Sequence, residues 1–188
     1  VSIGRLHLLV AVLAVLLGIL GYVGIRHMGF GVEKSITGEF QPSKVLSVKR
    51  YPYQLFFADK QKNYLTAETR LLNASGPPEV LGRTILEALI KGPESNLLPT
   101  VPKKTSIRAL YVDKNHTAVI DFHSNIQENH LGGAYTELLT IYSIVNSLTL
   151  NVAEIDSVKF LINGKEVDTL AGHVDIKSPF NANLVIIR

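Results

Sequence analysis

His123, Glu128 and His130 fall within eight positions of one another. Imidazoles and a carboxylate so grouped could ligate a divalent metal. Their segment lies between an apolar run and Gly132-Gly133 and has no periodicity, so it reads as a loop that fixes no ligand geometry, and solvated side chains are the expectation. His173 and Asp175 stand at alternate positions near the end of the chain. A base and its orienting carboxylate would serve a nucleophile there, but the spacing suits a turn-closing hydrogen bond better. Ser124 has no nucleophile-elbow context. The absence of cysteine removes thiolate chemistry and disulfides.

Glu137 is the sole charge between Ala134 and Leu150. Acid–base work by this carboxylate would require a partner, and Asp121, at a strand end before the helix, is the candidate. The simpler reading is a carboxylate in a first helical turn, favoured by the dipole and the exposed N–H groups. Gly132-Gly133 at the helix start could cradle an anion. Asp121, His123, Gly132, Gly133 and Glu137 together make the candidate interaction surface. No catalytic residue, metal or cofactor is expected.

These residues must be placed by regular elements. Tyr53–Ala58 and the alternating Tyr64–Leu72 predict a hairpin across a polar turn. Pro77-Pro78-Glu79 opens a helix with Leu81, Ile85, Ala88 and Leu89 on one face, closed by Lys91-Gly92-Pro93. Ile107–Val112 and Thr117–Phe122 predict a second hairpin. Ala134–Leu150 is the strongest helix of the domain and, so poor in charge, is expected to be covered on most of its circumference. Ile155–Ile162, the Asn163-Gly164 turn and Lys165–Leu170 predict a third hairpin. The order β-β-α-β-β-α-β-β predicts an α+β fold, a largely antiparallel or mixed sheet with helices on one face. The apolar Leu184–Ile187 could add a strand to a sheet edge.

From Leu8 to Ile25 the chain is uninterruptedly apolar and uncharged. Such a run is stable in hydrocarbon only as a helix, and from Leu6 it spans roughly 30 Å at about 1.5 Å per residue. Arg5 and Arg26 flank it, and no small-x-small cleavage site follows. The sequence therefore predicts a transmembrane anchor at 1–28, a juxtamembrane linker at 29–50 and an α/β domain at 51–188. The flanking charges do not decide orientation. Ala11, Ala14, Gly18 and Gly21 form a stripe of small residues that would let two such helices associate. The net charge of +3 is scattered, which argues against nucleic-acid binding.

Four segments, 55–72, 85–93, 117–149 and 158–180, carry a family resemblance. Asp121-Phe122-His123 stands for a strand ending in an Asp-Leu-Ser-like step. Gly132-Gly133 with Glu137 matches a Gly-Gly-x-x-x-Glu helix start, and Ile144–Thr149 matches its Ile-Val-Asn-Ser-Leu-Thr end. Asn163-Gly164-Lys165 precedes Gly172-His173-Val174-Asp175 as in the family pattern. Residues Tyr53 to about Phe180 thus resemble a GerMN domain of sporulation and germination proteins. The resemblance implies an extracytoplasmic (periplasmic), membrane-attached module akin in fold to ring-building α/β domains. It implies contact with other envelope or sporulation proteins, or with peptidoglycan, rather than catalysis. A single such domain and no lipid-attachment cysteine point to a general envelope role. Glycan binding would call on Tyr51, Tyr53 and Tyr64, and a cell-wall hydrolase on a cleft joining Asp121, Glu137 and a histidine.

Overall fold

The computed structural model describes residues 14–20, 22–24, 49–73 and 75–188. Residues 14–20 and 22–24 are helical with exposed side chains. Among the described residues no helix is long and apolar enough to cross a membrane. The rest of the expected anchor, including Ala11 and Gly21 of the small-residue stripe, lies outside the described residues, as does most of the linker. The chain divides into two compact units, 1–46 and 47–188, and the second carries the strands.

The first hairpin pairs β1 (Tyr51–Ala58) with β2 (Leu65–Leu72), antiparallel throughout. Asp59 closes its turn by accepting from the Asn63 and Tyr64 N–H groups at 2.6 and 2.9 Å. Helix α1 (Pro78–Lys91) starts on prolines, carries Glu79 in its first turn and Lys91 in its last, and stops at Gly92, whose φ of 94° suits a residue without Cβ. Strands β3 (Ile107–Val112) and β4 (Thr117–Phe122) form the second hairpin. A one-turn helix, α2 (Asn125–Glu128), stands where a loop was expected, and α3 (Ala134–Thr149) follows Gly132-Gly133. Because α2 and α3 carry the chain back along the sheet, β5 (Ser157–Ile162) runs parallel to β4.

The architecture is α+β, but the described residues form two sheets rather than one. The pair β1-β2 stands apart from a mixed sheet ordered β3-β4-β5-β6, where β6 is Phe180–Asn181. Ala118, Ile120 and Phe122 of β4 share a core with Val158, Phe160 and Ile162 of β5 and with the buried faces of α1 and α3. Both helices therefore serve one face of this sheet. By strand alternation Val119 and Asp121 belong to the other face.

The third hairpin does not form. Asn163-Gly164 makes its turn, both residues at positive φ, but pairing ends at one bridge between Ile162 and Lys165. Beyond it the N–H groups of Leu170, Ala171 and His173 donate to Glu137, and β6 takes the place beside β5. Leu184–Ile186 is a 3-10 turn rather than a strand. Past it Ile187 makes a parallel bridge to Leu65, with the Arg188 N–H donating to the Leu65 carbonyl at 2.8 Å, so the chain end does meet its own sheet edge.

The free edge of β1 is met by a polar stripe on α3. The Gln54 and Phe56 groups that face away from β2 would belong to a neighbouring strand. Phe56 N–H instead donates to Ser147 Oγ at 3.0 Å, and its carbonyl accepts from Ser143 Oγ at 2.5 Å. Asn151, just past the helix end, both accepts from Gln54 N–H and donates to its carbonyl, at 2.8 and 2.7 Å. Ala58 exchanges both backbone bonds with Leu98. Side chains four residues apart on a helix recur along one face, and here they replace a strand and close an edge that would otherwise recruit one.

Candidate interaction site

Glu137 is completely buried. Its carboxylate accepts from the N–H groups of Leu170 and Ala171 at 2.8 and 2.7 Å through Oε1, and of His173 at 2.9 Å through Oε2. The His173 ring returns, with Nδ1 3.3 Å from the same Oε2. A buried carboxylate is tolerated only when so satisfied. Glu137 therefore fastens the 170–173 loop onto the start of α3, and Asp175 instead accepts from Lys177 N–H.

Asp121 does not meet Glu137. It lies on the sheet face away from the helices, where it accepts from Gly164 N–H at 2.8 Å and pairs with Arg108 at 3.5 Å. The two carboxylates thus each hold a loop, the Asn163-Gly164 turn in one case and 170–173 in the other. His123 is exposed. Among the described residues no group of three or more His, Asp or Glu is placed to hold a metal.

His130 sits between these features and the surface. Its Nδ1 accepts from Gly132 N–H at 2.9 Å, which leaves the proton on Nε2 to donate to Thr140 Oγ1 at 3.0 Å. Burial lowers its pKa; the Glu137 carboxylate opposes that shift and His173 adds to it. Gly132 and Gly133 have φ of 78° and 88°, a region costly for any residue with a Cβ. That turn leaves Leu131 84% exposed.

Beside it opens a cavity of about 330 Å³. Ala58, Val101, Leu131 and Leu139 supply apolar walls, and His130 and Thr136 supply polar ones. Lys62, Lys103 and Lys104 line it from exposed positions, and among the described residues no carboxylate does. Sequence reasoning missed this site because its walls come from four separated stretches. Only the Lys103-Lys104 pair after two prolines could have hinted at it. The glycan-binding tyrosines do not form a platform: Tyr53 is buried, and the Arg188 guanidinium covers the Tyr64 ring at 3.8 Å.

The family model for sporulation and spore germination, Germane, matches residues 54–168. The chain belongs to the Germane family. Its domain is similar to the first GerMN domain of the sporulation protein GerM from Bacillus subtilis, at 25% identity and a TM-score of 0.58, over 70% of this chain and 97% of that one. A candidate lipoprotein from Clostridium perfringens is 26% identical with a TM-score of 0.51, over 72% and 89% of the two chains. The tandem GerMN domains of GerM share the fold, at 23% identity and a TM-score of 0.57; this Germane chain matches over 70% of its length and spans 46% of that protein. Comparison with curated proteins gives no match. In the Germane domain the Gly-Gly-x-x-x-Glu element has a structural meaning: the glycines make the turn and the glutamate ties down the later loop.

Proposed function

We propose that this Germane domain is a non-catalytic contact module of the cell envelope, held at the membrane by residues 1–28 through a linker at 29–50. The carrying observation is the use of Glu137: all its bonds go to backbone and imidazole of its own domain, leaving no carboxylate free for acid–base chemistry there. The apolar run 8–25 and the likeness to a candidate lipoprotein support membrane attachment, with domain 51–188 on the extracytoplasmic side. Other envelope or sporulation proteins are its partners. The stripe Ala11, Ala14, Gly18 and Gly21 gives the anchor a face for self-association.

In-cell crosslinking of the full chain, with protease protection of its two ends, tests this reading. Envelope proteins in the crosslinks and a protease-accessible C-terminal domain in cells stripped of their wall support it. Crosslinks to peptidoglycan alone would shift the reading to wall binding. Wall-hydrolysing activity lost on substituting Glu137 or Asp121 in a still-folded protein would overturn it.

A further inference from the structure

The cavity beside Gly132-Gly133 deepens the contact-module reading and rests on it. Its volume of about 330 Å³ is at the low end of ligand pockets, which run from about 300 to 1,000 Å³. A cavity of about 150 Å³ already holds a benzene, so there is room here for an aromatic or a long aliphatic side chain with the backbone that bears it.

The walls are fixed before anything binds. Thr100 is held from both of its polar ends: its carbonyl accepts from Thr140 Oγ1 at 2.6 Å and its hydroxyl meets Ser143 Oγ at 2.5 Å. The Ser143 proton is committed to Phe56, so Thr100 is the donor in that pair. Asn125 Nδ2 donates to the Lys104 carbonyl at 2.5 Å, and Pro99 and Pro102 restrict the loop further. On the opposite wall His130 fixes the Gly132 turn. A preformed pocket loses little entropy on binding. Three lysines, with no carboxylate among the described lining residues, set the charge of whatever lies across its mouth.

We propose that this cavity receives an aromatic or long aliphatic side chain from an acidic segment of a partner protein. Leu131 packs against the inserted side chain, and Lys62, Lys103 and Lys104 meet the flanking carboxylates.

The test is fluorescence anisotropy with the full chain in mild detergent and a labelled peptide of glutamates flanking one phenylalanine. Binding is expected, falling at least about tenfold on Phe-to-Ala replacement in the peptide. A comparable fall is expected for Lys103→Glu with Lys104→Glu, and for Thr136→Trp, which fills the cavity. Leu131→Ala, at an exposed position that folding does not need, is expected to weaken binding as well. A lysine-flanked peptide that binds equally well, or binding indifferent to Leu131→Ala and the lysine reversals, would overturn the proposal. Phosphatidylglycerol vesicles that displace the peptide and respond to the same substitutions would overturn it in favour of a lipid surface. Envelope-protein crosslinks that persist while the peptide fails would sink this site alone; absence of such crosslinks would sink the module reading.

Discussion

Ser147 Oγ accepts the Phe56 N–H at 3.0 Å, a strand's hydrogen bond answered by a helix side chain. Ser143, one turn earlier on α3, donates to the Phe56 carbonyl. Both serines and Phe56 are buried, so neither backbone group has water as a substitute. Ser147→Ala is expected to cost about 1–3 kcal/mol, the penalty for orphaning a buried donor. The bonds of Asn151 to Gln54 are exposed, so Asn151→Ala is expected to cost less than Ser147→Ala. Urea unfolding of the three proteins gives the ranking, and an Asn151→Ala cost equal to that of Ser147→Ala would contradict it.

Glu137→Ala removes the acceptor for three backbone donors and the partner of His173. A loss of roughly 3 kcal/mol is expected, together with faster amide exchange at Leu170, Ala171 and His173. Unchanged exchange there would mean that the loop is held by other contacts.

Gly133→Ala forces a Cβ onto a residue at φ 88° and ψ 133°, where the expected cost is about 1–3 kcal/mol. Space is not the obstacle, since the nearest atom to an added Cβ is Thr136 Oγ1 at 3.8 Å. A melting temperature equal to that of the parent protein would show that the turn relaxes without strain.

Acid should weaken the domain in two steps. The His130 pKa is depressed by burial, so its stabilisation is present above the unfolded value of about 6.5 and lost as pH falls below it. For Glu68, burial acts to raise the pKa, but hydrogen bonds from Ser95, Arg70 and the Glu94 N–H outweigh it and hold the group at about 2. Its stabilisation is therefore present above the ordinary glutamate value of 4.5 and lost as pH falls from there toward 2. His130→Gln should flatten the first step and Glu68→Gln should shrink the second in pH-dependent unfolding. Asp59 and Asp113, also lowered by backbone hydrogen bonds, keep part of the acid slope.

The hairpins at 51–72 and 107–122 and the helix at 134–149 were legible because each announces itself locally, through alternation, a polar turn, or apolar residues at helical spacing. The failure at Lys165–Leu170 has the opposite origin. A turn of the right type was present, but the Leu170 N–H at the end of the expected strand is taken by a buried carboxylate 33 residues away, and β6 rather than 165–170 pairs with β5. Asp121 and Glu137 both stood out in the sequence as polar residues beside apolar runs, yet which side of the sheet each faces became decidable only once the core face was known. Ser143, Ser147 and Asn151 recur at four-residue steps, but only their bonds to Gln54 and Phe56, nearly a hundred residues upstream, reveal them as a polar stripe.

Closing a strand with a distant helix has a consequence for biosynthesis. The partners of Gln54 and Phe56 lie 97 and 91 residues further along. A chain made from its amino end therefore completes the first hairpin long before the residues that shield it exist. Pairings of such reach form slowly, and until then the bare strand can join any other nascent chain. A fragment stopped before Ser143 is accordingly expected to precipitate rather than persist as a smaller domain, and the protein's yield should depend on what guards that interval.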